Sequence, residues 1–154
     1  MEINFEFPDA FDFARRFGIA PQVVQEEMTT AGNRSSLQGE SFTKEATPVV
    51  SGHARRSITT IPATFAGGQM RAGWGSYGTN YIEWLEKGRG AIVAGPGKVL
   101  RFKPKGSSTY IYRKRVGPAK GRFMFEKALR RLEPIFYREM DGALVRIINR
   151  MGGA

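Results

Sequence analysis

Few side chains in this sequence could do covalent or metal chemistry. Among 154 residues there is no cysteine, and His53 is the one histidine. That composition excludes disulfide scaffolds, thiolate zinc sites, iron–sulfur clusters and cysteine nucleophiles. His53 stands between Gly52 and Ala54 with no Asp or Glu nearby to orient its ring, so it reads as a turn or surface residue. Glu83 and Glu86 are three apart, a spacing that places two carboxylates on one side of a helix, as an acid pair would need. Without a histidine or metal partner they read as helix-surface or subunit-contact carboxylates. Gly95-Pro96-Gly97-Lys98 invites a phosphate-loop reading, but Ile92 occupies the place of the first required glycine and Val99 follows the lysine instead of Ser or Thr. The expectation is a protein with no catalytic residue, no metal and no cofactor. A small nuclease or lysis factor would need an acidic metal cluster that these carboxylates do not assemble.

Basic residues are the feature left to explain. Lys and Arg number 24 against 14 Asp and Glu, a formal charge of +10. Residues 1–50 carry a net −4 and the remaining 104 a net +14; between Lys87 and Arg131, 14 basic residues meet only Glu126. Such asymmetry points to a polyanion or to an acidic surface on another subunit. Within this region cations interleave with aromatics: Arg101-Phe102-Lys103, Tyr110, Tyr112-Arg113-Lys114-Arg115 and Arg122-Phe123. That pattern suits a chain tracking phosphates while rings stack on bases. No RNP-like consensus, helix-turn-helix pattern or zinc-finger ligand set accompanies it, and a hairpin with one packed and one solvated face is the plainer reading. Arg101, Lys103, Lys105, Arg113, Lys114 and Arg115 are the candidate DNA- or subunit-facing residues.

The elements that must position these residues follow from pattern. Pro8–Phe17 reads as a short helix or turn stopped by Gly18, within a 1–19 arm. Pro21 suits the first turn of a longer helix, with Val24, Met28, Ala31, Ser35 and Phe42 near one stripe through Thr43 and Pro48 as its stop. That stripe is thin, and Gly32 and Gly39 weaken it, so the helix is expected to lean on neighbours, in this chain or in another subunit. Ser57–Ile61 and Gln69–Trp74 around Gly67-Gly68 predict a hairpin. Tyr81–Lys87 predicts a short helix closed by Gly88, and Arg89–Lys98 a loop. Val99–Lys103 and Thr109–Lys114 predict a second strand pair around Gly106-Ser107-Ser108, with Tyr110 and Tyr112 on one face and Ile111 and Arg113 on the other. Phe125, Leu129, Leu132, Phe136, Met140, Ala143, Ile147 and Met151 form the strongest helical stripe, in which Pro134 starts a second segment or imposes a kink. Residues 1–12 show no basic leader or apolar core of a targeting segment, and no apolar run approaches the ~20 residues of a membrane span. The chain is expected to be soluble and made in a cytoplasm.

Three segments, in order, resemble a known family. Ala46 to Ile58, with Pro48, Gly52 and Ser57, is similar to an "A-x-P-V-x-T-G-x-L-x-x-S-I" junction after a helix. Tyr81-Ile82-Glu83-Trp84-Leu85-Glu86-Lys87-Gly88 is similar to a "Y-A-x-x-x-E-x-G" element that follows a hairpin. Pro118 to Leu129, with Phe123, is similar to a "P-x-x-P-F-x-x-x-A-L" lead-in to a last helix. Together they resemble the neck and tail-completion (head-tail joining) family of long-tailed bacteriophages over roughly residues 20–150. Ser51 for the usual Thr, His53-Ala54 for a polar-Leu pair and Ile82 for Ala depart from its pattern.

The resemblance implies an α+β fold. Helices at both ends of the chain, the last kinked near Pro134, would pack on an antiparallel sheet of about four strands, with residues 88–120 as a basic loop and hairpin in a single domain. It implies a structural virion protein without catalytic residues, forming a homo-oligomeric ring between the head connector and the tail through which the genome passes. Pro48, Gly52, Ser57, Tyr81, Glu83, Trp84, Gly88 and Phe123 are then structural motif residues. Tyr81, Trp84 and Leu85 would dock the short helix, and Phe123 with Phe125 would anchor the last one. The implied partners are copies of the chain, head-connector or head-closure proteins and tail-tube or tail-terminator proteins, with nonspecific contact to genomic DNA and no membrane. The acidic side of the first helix would face the basic region of a neighbour. A basic, nonspecific nucleic-acid-binding protein is the alternative.

Overall fold

A computed structural model describes residues 1–7, 15, 21–49, 51–66, 68–104 and 106–152. The short helix or turn expected at Pro8–Phe17 therefore lies, Arg15 apart, outside the described residues, as do Val50, Gly67 and Lys105. The helices are α1 (Pro21–Ala46), α2 (His53–Ser57), α3 (Ile82–Lys87) and α4 (Met124–Gly152). The strands are β1 (Glu2–Phe7), β2 (Ile58–Ala66), β3 (Gln69–Ser76), β4 (Gly88–Arg89), β5 (Ile92–Val93), β6 (Leu100–Phe102), β7 (Ile111–Arg113), β8 (Arg115–Val116) and β9 (Ala119–Lys120). The class is α+β, as expected. The chain divides into two compact units, Met1–Ile82 with Met124–Ala154, and Glu83–Phe123.

In the first unit, β1, β3 and β2 lie in that order in an antiparallel sheet of three strands. The predicted hairpin is β2–β3, with Ala66 opposite Gln69 and Gly68 at φ 81° in the turn. The third strand is a correction, because residues 1–19 were expected to be an arm or short helix. Glu2-Ile3-Asn4-Phe5-Glu6 alternates polar with apolar residues, and that period of two builds β1 against β3. The second predicted strand pair does not join this sheet, which is why it has three strands and not four. Register shifts between Ile61 and Thr64, around Pro62, which has no N–H to give a ladder. Asn33 of α1 meets the irregularity, its Oδ1 accepting from the Ala63 N–H at 2.8 Å.

Both long helices contribute to the core of Val24, Met28, Ala31, Met70, Ala72, Met140, Ala143 and Ile147. α1 does lean on neighbours, and its thin stripe is buried against elements of its own chain. Its glycines are the reason. A Cβ at Gly39 would stand 2.5 Å from the Trp74 ring, and one at Gly32 2.9 Å from Met70 Sδ, so their absence lets the helix lie close on β3. Two threonines on this side are satisfied locally, whereas the buried Ser35 Oγ has no hydrogen-bond partner among the described residues. Thr43 Oγ1 donates to the Gly39 carbonyl and accepts from Trp74 Nε1 at 2.7 Å, while Thr47 Oγ1 donates to the Thr43 carbonyl.

The α1 carboxylates are also engaged in cis. Glu27 pairs with Arg146 at 2.7 Å, Glu26 with Arg150 at 2.9 Å and Glu45 with Arg131 at 2.8 Å. Glu40 accepts from Lys44 and from Thr60 of β2. Burial pushes the Glu40 carboxyl up, but those hydrogen bonds and the Lys44 charge outweigh it and hold it below the ordinary carboxylate value. Three of the four α1 carboxylates thus face arginines of α4.

α4 runs unbroken through Pro134, so no second segment starts there. Its stripe is buried at Phe125, Leu132, Met140, Ala143 and Ile147 as predicted, with Met124 and Ala128 added. Leu129 is exposed instead, on the rim of a groove of about 230 Å³ with Phe5, Leu132, Glu133, Phe136 and Tyr137. It lies at the edge of the stripe, where α4 turns past the Phe5–Phe136 contact of 4.8 Å.

Candidate functional site

The three resembling segments fall at the junctions of the fold. α1 ends at Ala46 before Pro48, and Gly52, at φ 75°, opens α2 with its carbonyl accepting from Arg56 N–H at 3.0 Å. Ser57 closes that turn instead of starting the strand. Its Oγ donates to the Ala54 carbonyl and lies 2.7 Å from Ser76 Oγ, tying the start of β2 to the end of β3. His53 is exposed, its ring 6.3 Å from that of Tyr81, with no carboxylate partner among the described residues.

α3 corrects the expected docking residue. Ile82 and Glu86, four apart on one side, are buried, whereas Trp84 two residues on is 56 % exposed. Glu83 is exposed while Glu86 is 3 % exposed, so the two carboxylates do not share a site. Gly88, at φ 87°, then turns the chain, and a Cβ there would stand 2.5 Å from the Ala119 carbonyl oxygen. The returning strand covers the end of α3, where Arg122 N–H donates to Leu85 O at 2.7 Å and Phe123 N–H to Glu86 O at 3.1 Å. Phe123 is also a correction: it is 45 % exposed at φ 52°, and Phe125 anchors α4 with Met124 instead.

Between these junctions lies a ribbon. Outgoing β4, β5 and β6 pair in nested antiparallel order with returning β9, β8 and β7. The expected Arg89–Lys98 loop is therefore partly strand, since Ile92 and Val93 are β-branched and find partners in Val116 and Arg115. Gly90-Ala91 and Gly117-Pro118 interrupt the ladder on opposite sides. Arg89 Nη1 spans the gap, donating to the Gly90 carbonyl at 3.2 Å and the Gly117 carbonyl at 3.3 Å. Nothing local in the sequence signals this clamp, whose partners are 28 residues apart. The glycine-rich stretch is a turn bulging from the ribbon. Lys98 N–H donates to Gly95 O at 3.0 Å, with Pro96 second and Gly97, at φ 69°, third, the residue types of a type II turn.

The six candidate cations are not one patch. Leu100 pairs with Arg113, Arg101 with Tyr112 and Phe102 with Ile111, so Arg113 shares a face with Leu100, Phe102 and Ile111. Arg101 and Tyr112 lie on the other face, with Tyr110 two residues from Tyr112 as predicted. There Arg101 Cζ stands 3.8 Å from the Tyr110 ring centre, and Lys103 Nζ 5.7 Å from it. Lys114 sits in a bend between the two faces' strands, Arg115 pairs with Val93, and Lys105 is outside the described residues.

Burial sets this unit apart. Among its described residues Glu86 is the one buried side chain, while Trp84, Val93, Val99, Tyr110, Tyr112 and Phe123 are all exposed. Eleven basic against two acidic residues in Glu83–Phe123 place nine of the ten net positive charges in the ribbon unit. Its described cations form no ion pair among the described residues. Nor do the described residues gather three or more His, Cys, Asp or Glu as a metal ion would need, and no helix among them is long and apolar enough to cross a membrane. Compared with protein-family models, curated proteins and solved structures, the chain matches none.

Proposed function

We propose that this chain is a structural, non-enzymatic subunit of a tailed bacteriophage. In this reading, copies close into a neck or tail-completion ring that joins the head connector to the tail and leaves a channel for the genome. The ring belongs to the virion and is assembled in the host cytoplasm. Its neighbours are further copies, head-connector or head-closure proteins and tail-tube or tail-terminator proteins.

The observation that carries the reading is the ribbon unit, which buries no apolar side chain yet exposes many. A two-stranded ribbon is marginal in water without a surface to cover it, so such an element fits a protein whose working state is an assembly. The resemblance adds weight because its three segments fall on the hand-over from α1 to the sheet, the start of the ribbon and the return into α4. Those are the positions where backbone geometry restricts residue choice. Chemical crosslinking of the purified full chain tests the proposal. The expected result is a ladder ending at one fixed copy number. Monomer alone, in solution and in assembled particles, would overturn it.

A further inference from the structure

We infer that the Arg101–Lys103–Tyr110–Tyr112 face of the ribbon binds the phosphate backbone of double-stranded DNA without reading its sequence. This names what the ribbon touches, and it rests on the proposed ring only in taking that DNA to be the genome.

Charge is matched differently in the two units. In the first unit many arginines face carboxylates: Arg131, Arg146 and Arg150 of α4 with Glu45, Glu27 and Glu26 of α1, Arg34 with Glu139 and Arg71 with Glu6. In the ribbon unit the described cations have no such partners among the described residues, in a stretch whose sequence carries nine net positive charges. The four carboxylates of α1 are already engaged within their own chain, which favours a counter-charge from another molecule.

Geometry selects the kind of polyanion. Arg101 Cζ stands over the Tyr110 ring at 3.8 Å from its centre, a cation–π contact with no carboxylate ion-paired to the guanidinium among the described residues. A guanidinium held this way is prepared for bidentate contact with a phosphate. Lys103 adds a second cation beside the same ring, and Tyr112 opposes Arg101 across the ladder. A two-stranded β-ribbon is also narrow enough to enter the major groove of a duplex. An acidic protein surface offers the same charge but no regular spacing of anions along a rod.

The test is fluorescence anisotropy of the full chain with a labelled duplex of arbitrary sequence between 50 and 200 mM salt. The wild type should bind with an affinity that falls steeply as salt rises, and equally for unrelated sequences. Each phosphate contact contributes about 0.9 to the log–log slope. R101Q with K103Q should therefore flatten it by about 1.8, making the loss across that range roughly 12-fold smaller. Both side chains are exposed, so the far-UV spectrum and melting of the variant should match wild type. A wild type that ignores the duplex, an unchanged slope in the variant, or full displacement by polyglutamate at equal charge would each overturn the inference. Rings that form without DNA affinity would defeat this inference alone, whereas a DNA-binding monomer would defeat the ring alone.

Discussion

Replacing Gly39 by alanine should destabilise this protein, although alanine is the better helix former. Position 39 lies well inside α1, where the exchange ordinarily gains up to about 1 kcal/mol. Here the new methyl would stand 2.5 Å from Trp74 Cε3 and Cζ3, against ordinary carbon contacts of about 3.5–4.0 Å. Trp74 is fully buried, and its Nε1 is held by Thr43 Oγ1 at 2.7 Å, so the ring cannot slide away without straining that bond. Overpacking costs about 1–3 kcal/mol, and a weakened hydrogen bond about 0.5–1.5 kcal/mol more. After the helix gain, the net loss is roughly 1–3 kcal/mol. Gly142→Ala is the control, because its Cβ would meet Arg146 Nη1 at 3.2 Å, the end of a long side chain that can give by a few tenths of an ångström while keeping its Glu27 contact. It should be neutral or up to about 1 kcal/mol stabilising. Urea unfolding followed by tryptophan emission reads both variants, with Trp74 moving from a buried site to water. If Gly39→Ala is as stable as wild type while Gly142→Ala behaves as expected, the close approach of α1 to β3 is wrong.

Two further outcomes follow from particular residues. The folded-state value of Glu40 is depressed, so its contribution is complete above the ordinary carboxylate range and is lost as pH falls through the lower folded value. Glu40→Gln should accordingly flatten the acid limb of a stability-versus-pH curve; an unchanged limb would show that the Lys44 and Thr60 contacts contribute nothing. Phe123 holds a left-handed backbone conformation, disfavoured by about 1–2 kcal/mol for residues with a Cβ. Phe123→Gly should therefore be more stable than Phe123→Ala by about 1 kcal/mol, the reverse of the usual order. Equal melting of the two would remove the strain.

Periodicity made the long elements legible. Stripes at three- and four-residue spacing located α1 and α4, and Pro21, Pro48, Gly52 and Gly88 marked ends that the backbone respects. β1 was equally written in its alternation, which the acidity of Glu2 and Glu6 obscured. What pattern could not reveal was distance. Gly32 and Gly39 look like weak points of a helix until Met70 and Trp74 are seen against them. The pairing of α1 carboxylates with α4 arginines joins residues 86 to 124 apart. In the candidate site, the tyrosine face was legible from alternation. The separation of Arg113 from Arg101 required the strand register, and the exposure of Trp84 beside buried Ile82 required knowing which side of a six-residue helix is covered.

Electron microscopy of the purified full chain at high concentration tests assembly into a ring. Closed rings of one copy number around an open channel are expected. A uniform population of single copies at every concentration, or open filaments that never close, would contradict it.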